Sequence, residues 1–223
     1  MKSNKTKISA VAAAVVLSVT TATSVGAAVS AQESTGMPNT ALAESSTPTA
    51  DVMEENGFQF DKSTGTITDY TGNETGTLTI PSSIDGVTVT SIKSYALGSA
   101  KMKEVIIPNT IETLGFGVFQ MCSSLEKVTF ESGSKVTELK DSMFYQCTKL
   151  KEVVFPENLK SIKVLAFYKC TSLETVTLPD GFTTLYNAAF LDCTNLKTVI
   201  VPDSLNHMVM NPFEGYTSLE TLS

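Results

Sequence analysis

Four cysteines, Cys122, Cys147, Cys170 and Cys193, have the most capacity for chemistry in this 223-residue chain, and they recur at separations of 25, 23 and 23 residues. Zinc sites are normally built from Cys pairs two to four residues apart, and no such pair exists here. A regular spacing of about 23 puts the four at one position of a repeat, so successive thiols stack one rung apart. At ~4.8 Å between rungs the Cα separation suits a disulfide. Parallel Cβ vectors, however, would leave the Cβ atoms farther apart than the ~3.8 Å that a bridge prefers. A buried, reduced column is the favoured arrangement, with disulfides second and metal last.

The other candidates are weaker. His207 is the single imidazole, with Asp203 and Ser204 close by in sequence. A catalytic triad needs its members held by a scaffold beside an oxyanion hole, which neighbours on one loop do not supply, and there is no Gly-x-Ser-x-Gly elbow. His207 therefore reads as a loop residue at a variable position. Asp61, Asp69 and Glu74 could gather calcium, but their spacing is not that of an EF-hand loop. The chain carries no constellation for catalysis, metal or cofactor, and the expectation is a protein that is not an enzyme.

The elements that position these residues come from the repeat. Phe167 to Pro179 returns as Phe190 to Pro202 and, going back, as Phe144 to Pro156. The aromatic anchor falls at Phe119, Phe144, Phe167, Phe190 and Phe213, with Leu97 as a degenerate first copy. Leu125, Leu150, Leu173, Leu196 and Leu219 follow six residues later; Val128, Val153, Val176, Val199 and Leu222 follow three after that. An apolar residue precedes each anchor by five, from Ile92 and Leu114 to Leu185 and Met208. Each unit ends in a run of period two, which predicts a short strand closed by Pro. The return path, for example Phe182, Leu185, Ala189 and Phe190, has the three-to-four spacing of a helical turn or two. A 23-residue unit cannot bury this face alone, so copies must stack with their strands in a parallel sheet. The predicted class is α/β: a solenoid of short strands and short helical turns. The rung at Phe130 absorbs two extra residues in Glu131 to Ser134.

Outside the repeats, composition sets the boundaries. Lys2, Lys5 and Lys7 precede a short apolar run, Ile8 to Val19, and Val29-Ser30-Ala31 offers small residues for cleavage, so residues 1–31 read as an export signal. Its removal deepens the net charge from -7 to -10. Residues 32–56, rich in Ser, Thr and Pro, read as a disordered linker. Residues 57–94 form a β cap, with Phe58 to Tyr70 as a hairpin, followed by a first degenerate repeat. Residues 95–223 are the repeats. The acidic balance and the absence of Arg argue against nucleic acid as a partner, and after cleavage nothing suggests membrane insertion.

The pattern Pro-x-x-Φ-x-x-Ile-x-x-x-Ala-Phe-x-x-Cys-x-x-Leu-x-x-Val-x-Leu-Pro, clearest over Pro156 to Pro202, resembles the BspA-like (Treponema-type) class of leucine-rich repeats. The resemblance covers roughly residues 77 to 223; Leu97, Ala100 and Tyr216 depart from it at the terminal rungs. It implies a right-handed solenoid on an exported bacterial surface protein, with a role in adhesion to host or matrix.

Within that frame the outward strand positions are the candidate binding residues. Ile106, Thr129, Val154, Thr177 and Ile200 make one column; Glu104, Lys127, Glu152, Thr175 and Thr198 make its neighbour. The first is wholly β-branched, which suits a strand in any case and also suits a concave face for a protein or glycan ligand. Leu219 to Ser223 reads as an unfinished strand, an edge through which copies could associate. A repeat spacer, or part of a larger surface protein, is the competing expectation.

Overall fold

The computed structural model describes residues 52–213 and 221–222. The expected leader, most of the expected linker, and Leu219 of the expected self-association edge lie outside them. Among the described residues every regular element is a strand: β1 (Val52–Glu55), β2 (Phe58–Asp61), β3 (Thr66–Tyr70), β4 (Thr77–Thr79), β5 (Ser83–Ile84), β6 (Val87–Thr88), β7 (Ser91–Ile92), β8 (Glu104–Ile107), β9 (Thr113–Leu114), β10 (Lys127–Phe130), β11 (Glu138–Leu139), β12 (Glu152–Val154), β13 (Ser161–Ile162), β14 (Thr175–Thr177), β15 (Thr184–Leu185), β16 (Thr198–Ile200), β17 (His207–Met208) and β18 (Thr221–Leu222).

Two strands per repeat stack into two walls of a β-solenoid. The longer strand of each unit forms the parallel order β4-β8-β10-β12, and then β14-β16-β18. The two-residue strands that carry the apolar position five before the anchor form β3-β7-β9 and then β11-β13-β15-β17, again parallel. Each wall has one interruption, and the two fall at different heights: between β12 and β14 on one, between β9 and β11 on the other. The core between the walls is the set of columns that the repeat specifies. Phe119, Phe144, Phe167 and Phe190 are fully buried and stack ring on ring at 5.6, 5.1 and 5.0 Å. Phe213 continues the stack at 5.8 Å.

Among the described residues the expected helical turns are absent, and the α/β class gives way to an all-β solenoid. The return path is instead a ladder of turns. Ser142, Phe144 and Gln146 donate their N–H groups to the carbonyls of Val164, Ala166 and Tyr168 in the next rung, at 3.0, 2.7 and 2.7 Å. The intervening Tyr145 and Cys147 donate to Ser142 and Phe144, three residues back in their own rung, both at 3.1 Å. Two residues per unit take the left-handed conformation: Ser142 and Gln146 (φ 57° and 59°), Leu165 and Lys169 (56° and 57°), Ala188 and Asp192 (52° and 60°). A left-handed residue ends an α-helix, and these recur every four, so no helical turn can propagate. The apolar residues at three-to-four spacing still point inward, now from successive tight turns.

The N-terminal cap holds a second correction. The stretch assigned to the linker ends in β1, which pairs antiparallel with β2 through Glu55↔Phe58. The connection is Asn56-Gly57, with φ 52° and 81°. Positive φ at both central residues matches the type I′ turn whose twist suits a two-residue hairpin, and Asn-Gly is its strongest sequence signal. β2 then pairs with β3 as the expected hairpin, and β3 starts the second wall.

Candidate partner-binding face

The strand wall brings the ten predicted residues into two files. Pairing aligns Glu104, Lys127 and Glu152, and beside them Ile106, Thr129 and Val154; beyond the interruption it aligns Thr175 with Thr198 and Thr177 with Ile200. The alternation that sets this up is the pleat: Val105, Val128, Val176 and Val199 point into the core and are buried, so their neighbours must face out. Val154 and Ile200 are each 41% exposed, whereas Ile106 and Thr129 are half-buried. The charged file neutralises itself in part, since Lys127 Nζ lies 2.9 Å from Glu152 Oε1. The Thr77 hydroxyl donates to Glu104 at 3.3 Å. Through that contact and the β4–β8 register, Thr77 and Thr79 extend the two files by one rung. The run Thr77 to Pro81 already has the strand pattern, which is the signal by which both could have joined the columns.

Most of the aromatic surface lies elsewhere, on the turn ladder. Tyr95 and Phe116 are 55% and 48% exposed, and Met121 is 50% exposed. Tyr145 and Tyr168, each one residue after an anchor, stack at 4.7 Å. Lys169 and Lys163 sit over the rings of Tyr168 and Tyr186 at 5.1 and 4.0 Å. The Tyr95 ring lies so close to Gly117 that a Cβ there would meet it at 2.6 Å. Sequence reasoning passed over these residues because a helical return path would scatter them, while the ladder stacks them in register.

Most of the residues with capacity for chemistry are engaged in structural hydrogen bonds. All four cysteines are free and buried. Cys122, Cys147, Cys170 and Cys193 donate their thiols to the carbonyls of Leu97, Phe119, Phe144 and Phe167 at 3.1, 3.0, 3.2 and 2.9 Å, each reaching the anchor of the preceding rung. Burial pushes the thiols of Cys147 and Cys170 well above the ordinary cysteine range, which disfavours the thiolate form. His207 is exposed on β17, and the Ser204 hydroxyl donates to the Phe182 carbonyl at 2.8 Å. Asp61, Asp69 and Glu74 each accept from a nearby backbone N–H, of Ser63, Tyr70 and Gly76. Among the described residues no group of three His, Cys, Asp or Glu is placed to hold a metal ion, and no helix is long and apolar enough to cross a membrane.

A family model described as the BspA type leucine rich repeat region matches residues 56–164 and 130–223, in six copies. The chain belongs to that family. Among solved structures, this leucine-rich repeat protein is similar to the T. pallidum leucine rich repeat protein, at 26% identity and a TM-score of 0.57 over 65% of this chain and 73% of that one. It resembles a leucine rich cell surface protein of Faecalibacterium prausnitzii A2-165 at 24% identity and a TM-score of 0.58, over 77% of this chain and 55% of the other. A leucine-rich repeat protein of Eubacterium ventriosum gives a TM-score of 0.60 at 24% identity, over 78% and 51%. The chain thus spans about half the length of the last two proteins. No curated relative matches it.

Proposed function

We propose that this chain is an exported bacterial binding module that recognises a protein or glycan at or outside the cell surface through the outward files of its strand wall. The observation that carries this reading is the file Ile106–Thr129–Val154 with Thr177–Ile200, which keeps β-branched side chains at the surface in strict register. Apolar side chains held in a rigid row are organised for docking before a partner arrives, which lowers the ordering cost of binding. The file has neither Trp nor Arg, the residues that with Tyr most often dominate interfaces, so affinity per site is modest and repetition along the wall supplies the area. Export rests on the basic and apolar leader at Lys2 to Val19. Recognition without catalysis fits the absence of any reactive constellation in the sequence.

The experiment is capture of matrix proteins, mucins and cell-surface extracts by the chain and by a variant with Ile106, Val154 and Ile200 all changed to Lys. Because all three side chains face outward, the variant should fold with unchanged circular dichroism and melting temperature, and capture should be lost. Full retention of capture would leave the strand wall without a role and favour a spacer within a longer surface protein.

A further inference from the structure

The N-terminal end of the strand wall is open in a way that the opposite wall is not. On the second wall, β3 is covered by β2. On the strand wall, the first strand, β4, pairs only with β8 among the described residues. The contacts with β8 use Leu78 and its even-numbered neighbours, as the N–H of Ile80 donating to the Ile106 carbonyl at 3.0 Å shows. Strand geometry then turns the N–H and C=O groups of Thr77 and Thr79 to the free edge. A cleft of about 530 Å³ lies beside that edge, where the strand of a preceding rung would stand. Phe58 and Tyr70, in mutual contact at 4.7 Å, line it together with Gly72 and Glu74 of the following loop. The Tyr70 ring occupies the space where any side chain at Gly72 would go, with a Cβ meeting it at 2.4 Å, so glycine is required there to keep the ring against the cleft.

We propose that this cleft is a β-augmentation site, which takes a short extended segment of a partner polypeptide as an added strand on β4. The edge itself selects the class of occupant. Alternating donors and acceptors at strand spacing are matched by an extended backbone and by neither a sugar nor a flat small molecule. The side-chain preference follows from the pleat. A residue beside Leu78 points inward against Phe58 and Tyr70 and must be apolar. Its two neighbours point outward beside Thr77 and Thr79, near Glu74 of the lining loop and Glu104 on the next rung, and basic side chains complement them. The expected segment therefore alternates basic and apolar residues. This site uses the backbone edge of β4, whereas the outward files bind through side chains and only end at Thr77 and Thr79; its failure would leave the proposal for Ile106 to Ile200 untouched.

The test uses the full chain and a capped synthetic peptide of alternating lysine and valine, with hydrogen exchange and titration as readouts. The peptide should bind and should slow exchange of the Thr77 and Thr79 amides. N-methylation along the edge of the peptide that pairs should weaken binding at least tenfold, whereas methylation along the other edge should not. Thr79→Pro, which removes one outward N–H and no bond to β8, should weaken binding equally without changing the melting temperature, since proline is tolerated on an edge strand. A glutamate–valine peptide should bind more weakly than the lysine form. Absence of binding by every peptide, or equal binding by both methylated forms, would overturn the proposal. So would protection of the Thr77 and Thr79 amides in the free chain that disappears when residues 32–51 are deleted, because the site would then belong to the chain's own segment.

Discussion

Each anchor carbonyl at Phe119, Phe144 and Phe167 accepts two hydrogen bonds, one from the N–H of the Cys three residues on and one from the thiol of the Cys in the following rung. Cysteine suits the position because it is small, apolar enough to be fully buried and able to donate weakly. Thiol reagents should therefore leave the native chain unlabelled and modify four cysteines after denaturation; rapid labelling of the folded chain would place the column at the surface. Cys147→Ser, which keeps a donor of similar reach, should be milder than Cys147→Val, whose extra methyl has no room and should cost ~1–3 kcal/mol in urea unfolding. Phe167 is held harder still, stacked between Phe144 and Phe190 and met edge-on by Phe155 at 6.1 Å. Phe167→Ala should cost ~3–5 kcal/mol, and a loss under ~1 kcal/mol would mean that the anchor file does not form the core.

At the scale of the element, β11 shows how adjacent rungs are tied at the surface. Glu138 is bridged by Lys140 on its own rung and by Lys163 on the next, the latter at 2.8 Å, and the Ser161 hydroxyl donates to it at 3.2 Å. Partial burial would raise its carboxyl, but the hydrogen bonds and charges of the two lysines outweigh that and hold it below the ordinary glutamate range. A lowered folded-state value means that the stabilisation is present above the unfolded glutamate range and fades as pH falls through the folded value. Glu138→Gln should therefore be less stable than the parent at pH 7, and the difference should close on acidification below the usual carboxylate range. A gap unchanged at low pH would show that the pair contributes nothing electrostatic. This wall was partly legible: the apolar residue five before each anchor marks Leu139 and Ile162 as core, and both are buried. Its being a strand was not, because an apolar spacing of three to four fits inward-facing turns as well as a helix. What decides between them is the left-handed backbone at residues such as Leu165 and Lys169, which their side chains do not advertise. Asn56-Gly57, by contrast, was a plain hairpin signal inside a stretch whose composition argued for disorder. The outward files were legible for the reason that the core was, since each alternates with a core-facing valine. The tyrosine stack was not, because its register depends on the turns.

For the whole molecule, the two interruptions matter less than their placement. One wall breaks between β12 and β14 and the other between β9 and β11, so at every height at least one wall remains paired. The phenylalanine stack runs through both levels from Phe119 to Phe213. Neighbouring repeats are thus coupled everywhere, which in a quasi-one-dimensional fold is what makes the array melt as a unit. Calorimetry should give one transition with calorimetric and van't Hoff enthalpies in agreement; two resolved transitions would mean that an interruption acts as a domain boundary.

The turn ladder has an electrical direction of its own. From Tyr95 to Phe190 the bonds between its rungs all run the same way, N–H of the earlier rung to C=O of the later one, as in Leu97 to Val118, Phe119 to Met143, Phe144 to Ala166 and Phe167 to Ala189. The peptide dipoles therefore add along the stacking axis, as they do in an α-helix, although here each belongs to a different segment of chain. Along this face the N–H groups point toward the C-terminal rungs and the C=O groups toward the first, whereas second-wall bonds such as Lys163 N–H to Leu139 C=O and Tyr186 N–H to Ile162 C=O run the other way. The two ends of the ladder, though built from near-identical turns, are consequently unlike in charge preference before any side chain is considered.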